Sequence, residues 1–247
     1  GYIHLTSQCE VKRINFGARA RRLFLLKSMN MPVPRAVLLS IDAVRKIQTG
    51  KKIDTEGILA VFNEQEMFSV RASPEHWDWG GPQTILNVGL NDAKFSALKN
   101  TLGDTAAVKL YLRFILSFSI DIMRIDENLF EDILSEKPTD SSVALALKLY
   151  EDEMLSPFPQ SPHDQLEQVL NSMIRAWNGT TARILRKAHN APENAGVGFI
   201  IQRMVMGLGK IESGSGQGGY IVSPDGSIVY RETPASKATS SSNSPNF

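Results

Sequence analysis

One segment, Phe68-Ser-Val-Arg-Ala-Ser-Pro-Glu-His-Trp-Asp-Trp-Gly-Gly-Pro-Gln-Thr-Ile-Leu-Asn-Val-Gly-Leu-Asn-Asp92, leaves this chain few architectures. It reads as a short apolar strand ending in Arg71, a loop carrying Gly80 and Gly81, and a helix that opens at Asn91 and Asp92. A strand that delivers an arginine to a loop of backbone amides offers an anion a seat, because guanidinium and amide N–H groups both donate toward negative charge. The bland alternative is an ordinary strand-to-helix connection whose arginine makes a surface ion pair. Both readings demand strand and helix in alternation, and so a mixed fold.

The chain has 247 residues, of which 42% are apolar. That suffices for one large domain or two smaller lobes with a real core. Acidic and basic residues are interspersed and nearly cancel to a net charge of +1. No field of the kind that gathers nucleic acid or an anionic membrane is expected. No apolar run approaches the roughly 20 residues that span a bilayer, and the start does not resemble a signal peptide. Cys9 is the one cysteine. An intrachain disulfide is therefore impossible, and a reducing, cytoplasmic location is the expectation.

The first block alternates short helices and strands. Arg21 to Asn30 reads as a basic-apolar helix, Val37-Leu38-Leu39 as a buried strand, and Ser40 as the N-cap of a helix that Gly50 ends. A helix over Ile58 to Phe62 and the strand Met67 to Arg71 follow. From about Asn91 the pattern turns helical. Leu110, Phe114, Ile115, Phe118 and Ile122 recur at three- and four-residue spacing and form one stripe. Asp126 can cap a helix over Leu129 to Leu134, and Ser142 to Leu149 makes another. After the proline-rich break Ser156 to Pro162, Ser161-Pro162-His163-Asp164 starts a helix that runs to Trp177, with N-cap serine and first-turn proline and aspartate. Thr181 to His189 continues as a basic helix. Strands return at Val197 to Val205 and in the hairpin Tyr220 to Tyr230, where Pro224-Asp-Gly226 supplies the turn and antiparallel pairing is expected. Beyond Thr233 the composition is too polar to repay ordering.

Two further groups carry chemistry. Ser213-Gly-Ser-Gly-Gln-Gly-Gly219 lets backbone approach a ligand closely and aims amides at a phosphate, or else forms a plain hairpin loop. A strand follows it, not a helix, so it is neither a Rossmann nor a Walker loop. Arg13, Arg19, Arg21 and Arg22 surround Gly17 at a helix start, where amides and the helix dipole favour anions; the alternative is a solvated helix face. His4, His76, His163 and His189 lack metal-ligand spacing with carboxylates or Cys9. No serine or cysteine sits in a nucleophile elbow, and no catalytic residue is assigned.

Several segments, taken in order, resemble the N-terminal nucleotide-binding part of pyruvate phosphate dikinase. Ser69-Val-Arg71 and Thr84-Ile-Leu-Asn-Val-Gly-Leu-Asn-Asp92 are similar to that family's Ser-Val-Arg loop and Thr-Val-Leu-Asn-Leu-Gly-Leu-Asn-Asp. Met31-Pro-Val-Pro34, Ile125-Asp126, Leu129 to Leu134, Phe158-Pro-Gln160, Gln165-Leu166, Ala176-Trp-Asn178, Gln202-Arg-Met-Val205 and Ser213-Gly-Ser-Gly216 continue the likeness over about residues 12 to 234.

The resemblance implies an α+β, ATP-grasp-like fold of two lobes with a helical insertion. Its divisions are a first lobe over 12–100, the insertion over 101–192, second-lobe strands and glycine-rich loop over 193–234, and a tail or linker over 235–247. It implies ATP and Mg2+ as cofactors, and transfer of a phosphoryl group to a histidine-bearing phosphocarrier domain or protein, from which it passes to pyruvate. By position, nucleotide contacts fall to Arg19, Arg71, Gly80, Gln202, Met204, Val205, Ser213, Gly214, Ser215, Gly216 and Arg231, with Glu232 as a candidate metal ligand.

The departures are specific. Gly17-Ala-Arg-Ala20 stands where the family has Gly-Gly-Lys-Gly, keeping charge but exchanging a compact ammonium for a planar guanidinium. Trp77-Asp-Trp79 occupies a loop the family builds from small residues and methionine. Ile221-Val-Ser-Pro224 replaces a turn that carries arginine, and the hairpin runs almost directly into Tyr230-Arg-Glu-Thr-Pro234, without the segment that supplies metal ligands. These departures open the alternative of a catalytically degenerate relative acting as a binding or regulatory module. An unrelated α/β protein is the third reading.

Overall fold

The computed structural model describes residues 1–135, 137–205, 216–222 and 228–234. The chain divides into two compact units, 1–204 and 205–247.

The first unit begins with strand β1 (Tyr2–His4), helices α1 (Arg13–Phe16) and α2 (Ala18–Ser28), strand β2 (Ala36–Leu39), and helices α3 (Ile41–Gln48) and α4 (Thr55–Leu59). Strand β3 (Phe68–Pro74), a 3-10 turn (Trp77–Trp79) and strand β4 (Ile85–Val88) follow. The helical section holds α5 (Asp92–Leu102), α6 (Asp104–Ser117), a π-helical turn (Phe118–Ile122), a 3-10 turn (Glu127–Phe130), α7 (Glu131–Ser135), α8 (Asp140–Met154), α9 (Pro162–Asn178) and α10 (Thr180–Ala188). Strand β5 (Val197–Arg203) closes the unit. The second unit shows the strands β6 (Gly216–Val222) and β7 (Ile228–Pro234), paired antiparallel as the hairpin reading requires.

Helix starts fall where side chains can replace missing backbone partners. Ser40 accepts from the Ala43 amide at 3.1 Å, Asn91 from Lys94 at 2.9 Å and Ser161 from Asp164 at 3.4 Å. Thr139 and Ser142 form a reciprocal capping box that starts α8 before the expected Ser142. Gly103, with φ of 82°, breaks the helical section between α5 and α6.

The five strands of the first unit form one antiparallel sheet in the order β1-β2-β5-β3-β4. This corrects two expectations. Residues 197–203, grouped by sequence with the glycine-rich hairpin, hold the centre of the sheet that contains β2 and β3. Their run of apolar side chains is buried on both faces, which suits a central strand. Arg71 is not at a strand end either: Ala72, Ser73 and Pro74 continue the ladder opposite Phe199, Gly198 and Val197. The loop after it holds a further strand, β4, that the sequence reading did not separate.

Because side chains alternate along a strand, Ser69, Arg71 and Ser73 share one face. The register puts Gln202, Ile200 and Gly198 of β5 on that face too, with Ala36 and Leu38 of β2. Helices α1 and α2 cover its β2 side: Phe16 and Ala20 pack with Leu5, Val11, Val33, Ala36, Leu38 and Ile200. Glycine is required at this junction. A Cβ on Gly17 (φ 85°) would stand 1.8 Å from the Ser73 carbonyl oxygen, and one on Gly198 would stand 2.8 Å from that of Phe16.

The opposite face, carrying Val70 and its partner Ile85, meets the helical layer. That layer is built around Phe158, whose ring lies 5.1 Å from Tyr150, 5.2 Å from Phe118, 5.7 Å from Phe114 and 6.4 Å from Tyr111. All four contacts are edge-to-face, a geometry that the ring quadrupole favours. Gln165 of α9, fully buried, seals the exit of β4 by accepting from the Gly89 amide at 2.7 Å and donating to the carbonyls of Leu90 and Pro159. Among the described residues no helix is long and apolar enough to cross a membrane.

Candidate functional site

The open half of the α2-bearing sheet face gathers the charge that distinguishes this molecule. Arg71 rises from mid-β3. Arg19, in the first turn of α2, donates from Nη1 to the Ala72 carbonyl at 3.0 Å, and the amide of Ala20 donates to Ser73 Oγ at 3.0 Å. These two bonds dock the helix N-terminus on β3 and bring the two guanidinium groups together. The helix dipole adds partial positive charge at the same place.

Both arginines are destabilised as cations. Burial pushes the Arg19 guanidinium down to about 10, and the nearby charges of Arg71 and Arg22 push the same way. Burial lowers Arg71 as well. Arg71 nevertheless remains exposed to solvent. Among the described residues neither arginine has a carboxylate within ion-pairing distance, and Arg71 makes no hydrogen bond. The contrast at the far end of β5 is direct: Arg35 and Arg203 share the carboxylate of Glu66, with Arg203 Nε at 3.0 Å. Two crowded, partly desolvated cations without a counter-charge make a candidate anion site, since an oxyanion would relieve both the desolvation and the mutual repulsion.

The other expected residues divide. Gln202 lies on the Arg71 face, opposite Ser69, whose hydroxyl donates to the Gln202 carbonyl at 3.4 Å. Met204 continues past β5, its amide held by the Met67 carbonyl at 2.8 Å, and Val205 is exposed. Gly80 (φ 72°) has open space around it, and its neighbour Gly81 rests against the Cβ of Ala72, which points away from Arg71. The structure thus brings Arg19, Arg71 and Gln202 to one sheet face. Gly216 begins β6 opposite Pro234, while Arg231 and Glu232 of β7 pair with Gly219 and Gly218. The glycines 216, 218 and 219 therefore belong to a strand and not to a loop. Ser213, Gly214 and Ser215 lie outside the described residues.

Two contributors escaped the sequence reading: Ser73, which caps α2 from a different element, and Ser69, beside Gln202. The alternation Ser69-Arg71-Ser73 was the available signal, since three polar residues at period two mark one solvated strand face. In the loop after β3, His76 Nδ1 bonds the Asp78 carboxylate and the imidazole lies 6.1 Å from the Trp77 ring and 5.8 Å from the Trp79 ring. His76 and the nearby charge of His189 help hold the Asp78 carboxyl below its usual range. Among the described residues no group of three histidine, cysteine or acidic side chains is placed to hold a metal ion.

No family model matches the chain. Over 183 residues it is 30% identical to pyruvate, phosphate dikinase of Rickettsia conorii, an alignment that covers 68% of this chain and 21% of that protein. It is 26% identical over 242 residues to the pyruvate, phosphate dikinase of Giardia intestinalis, covering 85% and 27%. The corresponding protein of Clostridium symbiosum is 24% identical over 235 residues, covering 81% and 27%. The chain thus spans between 21% and 27% of the length of these curated relatives.

Proposed function

We propose, from the premise that this chain is a divergent relative of the N-terminal part of the pyruvate, phosphate dikinases, that it binds ATP with its phosphates on the Arg19–Arg71 pair. The observation that carries this reading is the pairing itself: two adjacent, partly desolvated guanidinium groups with no carboxylate partner among the described residues. Guanidinium suits the task, because its fork donates to two phosphate oxygens at once. Gln202 of β5, with Met204 and Val205 just beyond the strand, is the stretch beside which the base would lie. In this reading the fold is ATP-grasp-like, and ATP phosphorylates a histidine on another domain or protein, as the first half of a dikinase reaction that leaves AMP.

Phosphoryl transfer is mostly positioning and charge stabilisation. This chain's own residues supply cationic donors at the phosphates and a sheet floor that orients them. A magnesium ion, when bound, would neutralise the moving phosphoryl group. Among the described residues no group of three histidine, cysteine or acidic side chains is placed to hold it. That favours a second reading, a nucleotide-responsive module that binds without turnover.

Calorimetric titration of the chain with ATP tests the site. Replacing Arg71 with alanine is expected to weaken binding by about 1.5–3 kcal/mol, the range for a charged hydrogen bond. Absence of both heat and thermal stabilisation at millimolar ATP would sink the proposal. AMP release from ATP in the presence of a histidine-bearing partner separates the dikinase reading from the binding module.

A further inference from the structure

On the opposite side of the sheet, a cavity of about 140 Å3 opens between β4, the π-helical turn and α9. The space exceeds what a single water needs. Ile85 and Met173 give it an apolar wall, and Gln83, Asp121 and Arg124 bring polar groups to it. Ser172, also in the lining, donates its hydroxyl to the Ile122 carbonyl at 3.0 Å and fixes α9 to the turn.

The two charges are the informative part. Asp121 Oδ2 accepts from Ser117 Oγ at 2.9 Å. Arg124 is exposed and has no hydrogen bond or ion pair among the described residues. Its backbone is pinned in the left-handed region (φ 64°) by the bonds that end the turn, Met123 N to Phe118 O and Ile125 N to Ser119 O, each 3.0 Å. Two opposite charges three residues apart therefore line one small cavity without bridging to each other.

A simple anion there would face Asp121, and a simple cation would face Arg124. An uncharged apolar molecule would strip water from both without compensation. A ligand that carries both charges satisfies both. We propose that this cavity binds a small zwitterion, an α-amino acid with a short apolar side chain, its carboxylate on Arg124, its ammonium on Asp121 and its side chain against Ile85 and Met173. The site is independent of the nucleotide reading, because Ile85 pairs with Val70 on the face away from Arg71.

Ligand-observed NMR on the intact chain tests this with L-alanine and L-valine, against propionate and propylammonium as single-charge analogues. The amino acids are expected to bind at least about tenfold more tightly than either analogue. Asp121→Asn, which keeps an acceptor for Ser117, and Arg124→Gln, at an exposed position, should each weaken amino-acid binding about tenfold or more. Both variants should retain the melting temperature and ATP heat of the unmodified chain. No amino-acid binding at roughly 10 mM, equal binding of propionate, or unchanged affinity in both variants would overturn the proposal.

Discussion

Arg71 makes sense of the proposed anion site through what it lacks. Its charge sits beside Arg19, burial lowers the pKa of both, and nothing on the described surface neutralises the pair. In the ligand-free protein such a pair is a cost, and sites that hold ligands often carry it at the expense of stability. Arg71→Met is accordingly expected to raise the stability of the ligand-free chain by up to about 1 kcal/mol, a figure kept small because an accessible charge is screened. The same variant should lose most of the stabilisation that ATP confers. Urea midpoints with and without ATP give both numbers, and a variant less stable than the parent in both states would count against a pair held together for a ligand. Sequence showed that Arg71 was a candidate. The family likeness named Arg19 as a contact too, but the bond that docks it on β3 joins residues 53 apart in the chain and is visible only in the fold.

Elements carry the next lesson, because the helical layer depends on a residue outside any helix. Phe158 lies in the proline-rich break, yet it is 4% exposed and touches rings from α6, the π-helical turn and α8. Phe158→Ala is expected to destabilise by about 3–5 kcal/mol, as for other buried aromatic truncations. A loss below about 1 kcal/mol in denaturant unfolding would show that the break is not part of the core. Helix α5 contributes a titrating group. Lys94 is buried and donates Nζ to the Glu66 carbonyl at 3.0 Å; burial lowers its pKa, partly opposed by Glu64 and Glu66. A folded pKa below the unfolded 10.5 means that the unfolded chain holds this proton more tightly. The cost of the buried charge is therefore present below the folded pKa and is relieved as pH rises through it toward 10.5. Relative to Lys94→Met, the parent should gain stability across that alkaline window, and parallel midpoints of the two proteins would expose a Lys94 that titrates normally.

For the molecule as a whole, the placement of β5 decides what can fold alone. Since β5 is hydrogen-bonded to both β2 and β3, the sheet is complete by Met204. A fragment of residues 1–204 is expected to unfold in one cooperative thermal transition with the helical circular dichroism of its elements retained. A broad, non-cooperative melt would mean that residues after 204 are needed for the sheet.

Helices, caps and the hairpin were legible because their causes are local. Ser40, Asn91 and Ser161 each cap an amide three residues away, and the stripe from Phe114 to Ile122 is set by helical pitch. The ordered family likeness added the relation to the dikinases, which no single motif carried. The packing of the chain alone settled the rest: β5 between β2 and β3, β4 folded back on β3, α2 bonded through Ala20 to Ser73, and Asp121 and Arg124 around a shared cavity. Each of these depends on contacts between segments far apart in sequence, or on the shape of space between packed elements, and no local periodicity encodes either. Arg71 belongs to both accounts: its residue type and strand were readable, while its role as half of an uncompensated cation pair came from the helix that the fold laid against it.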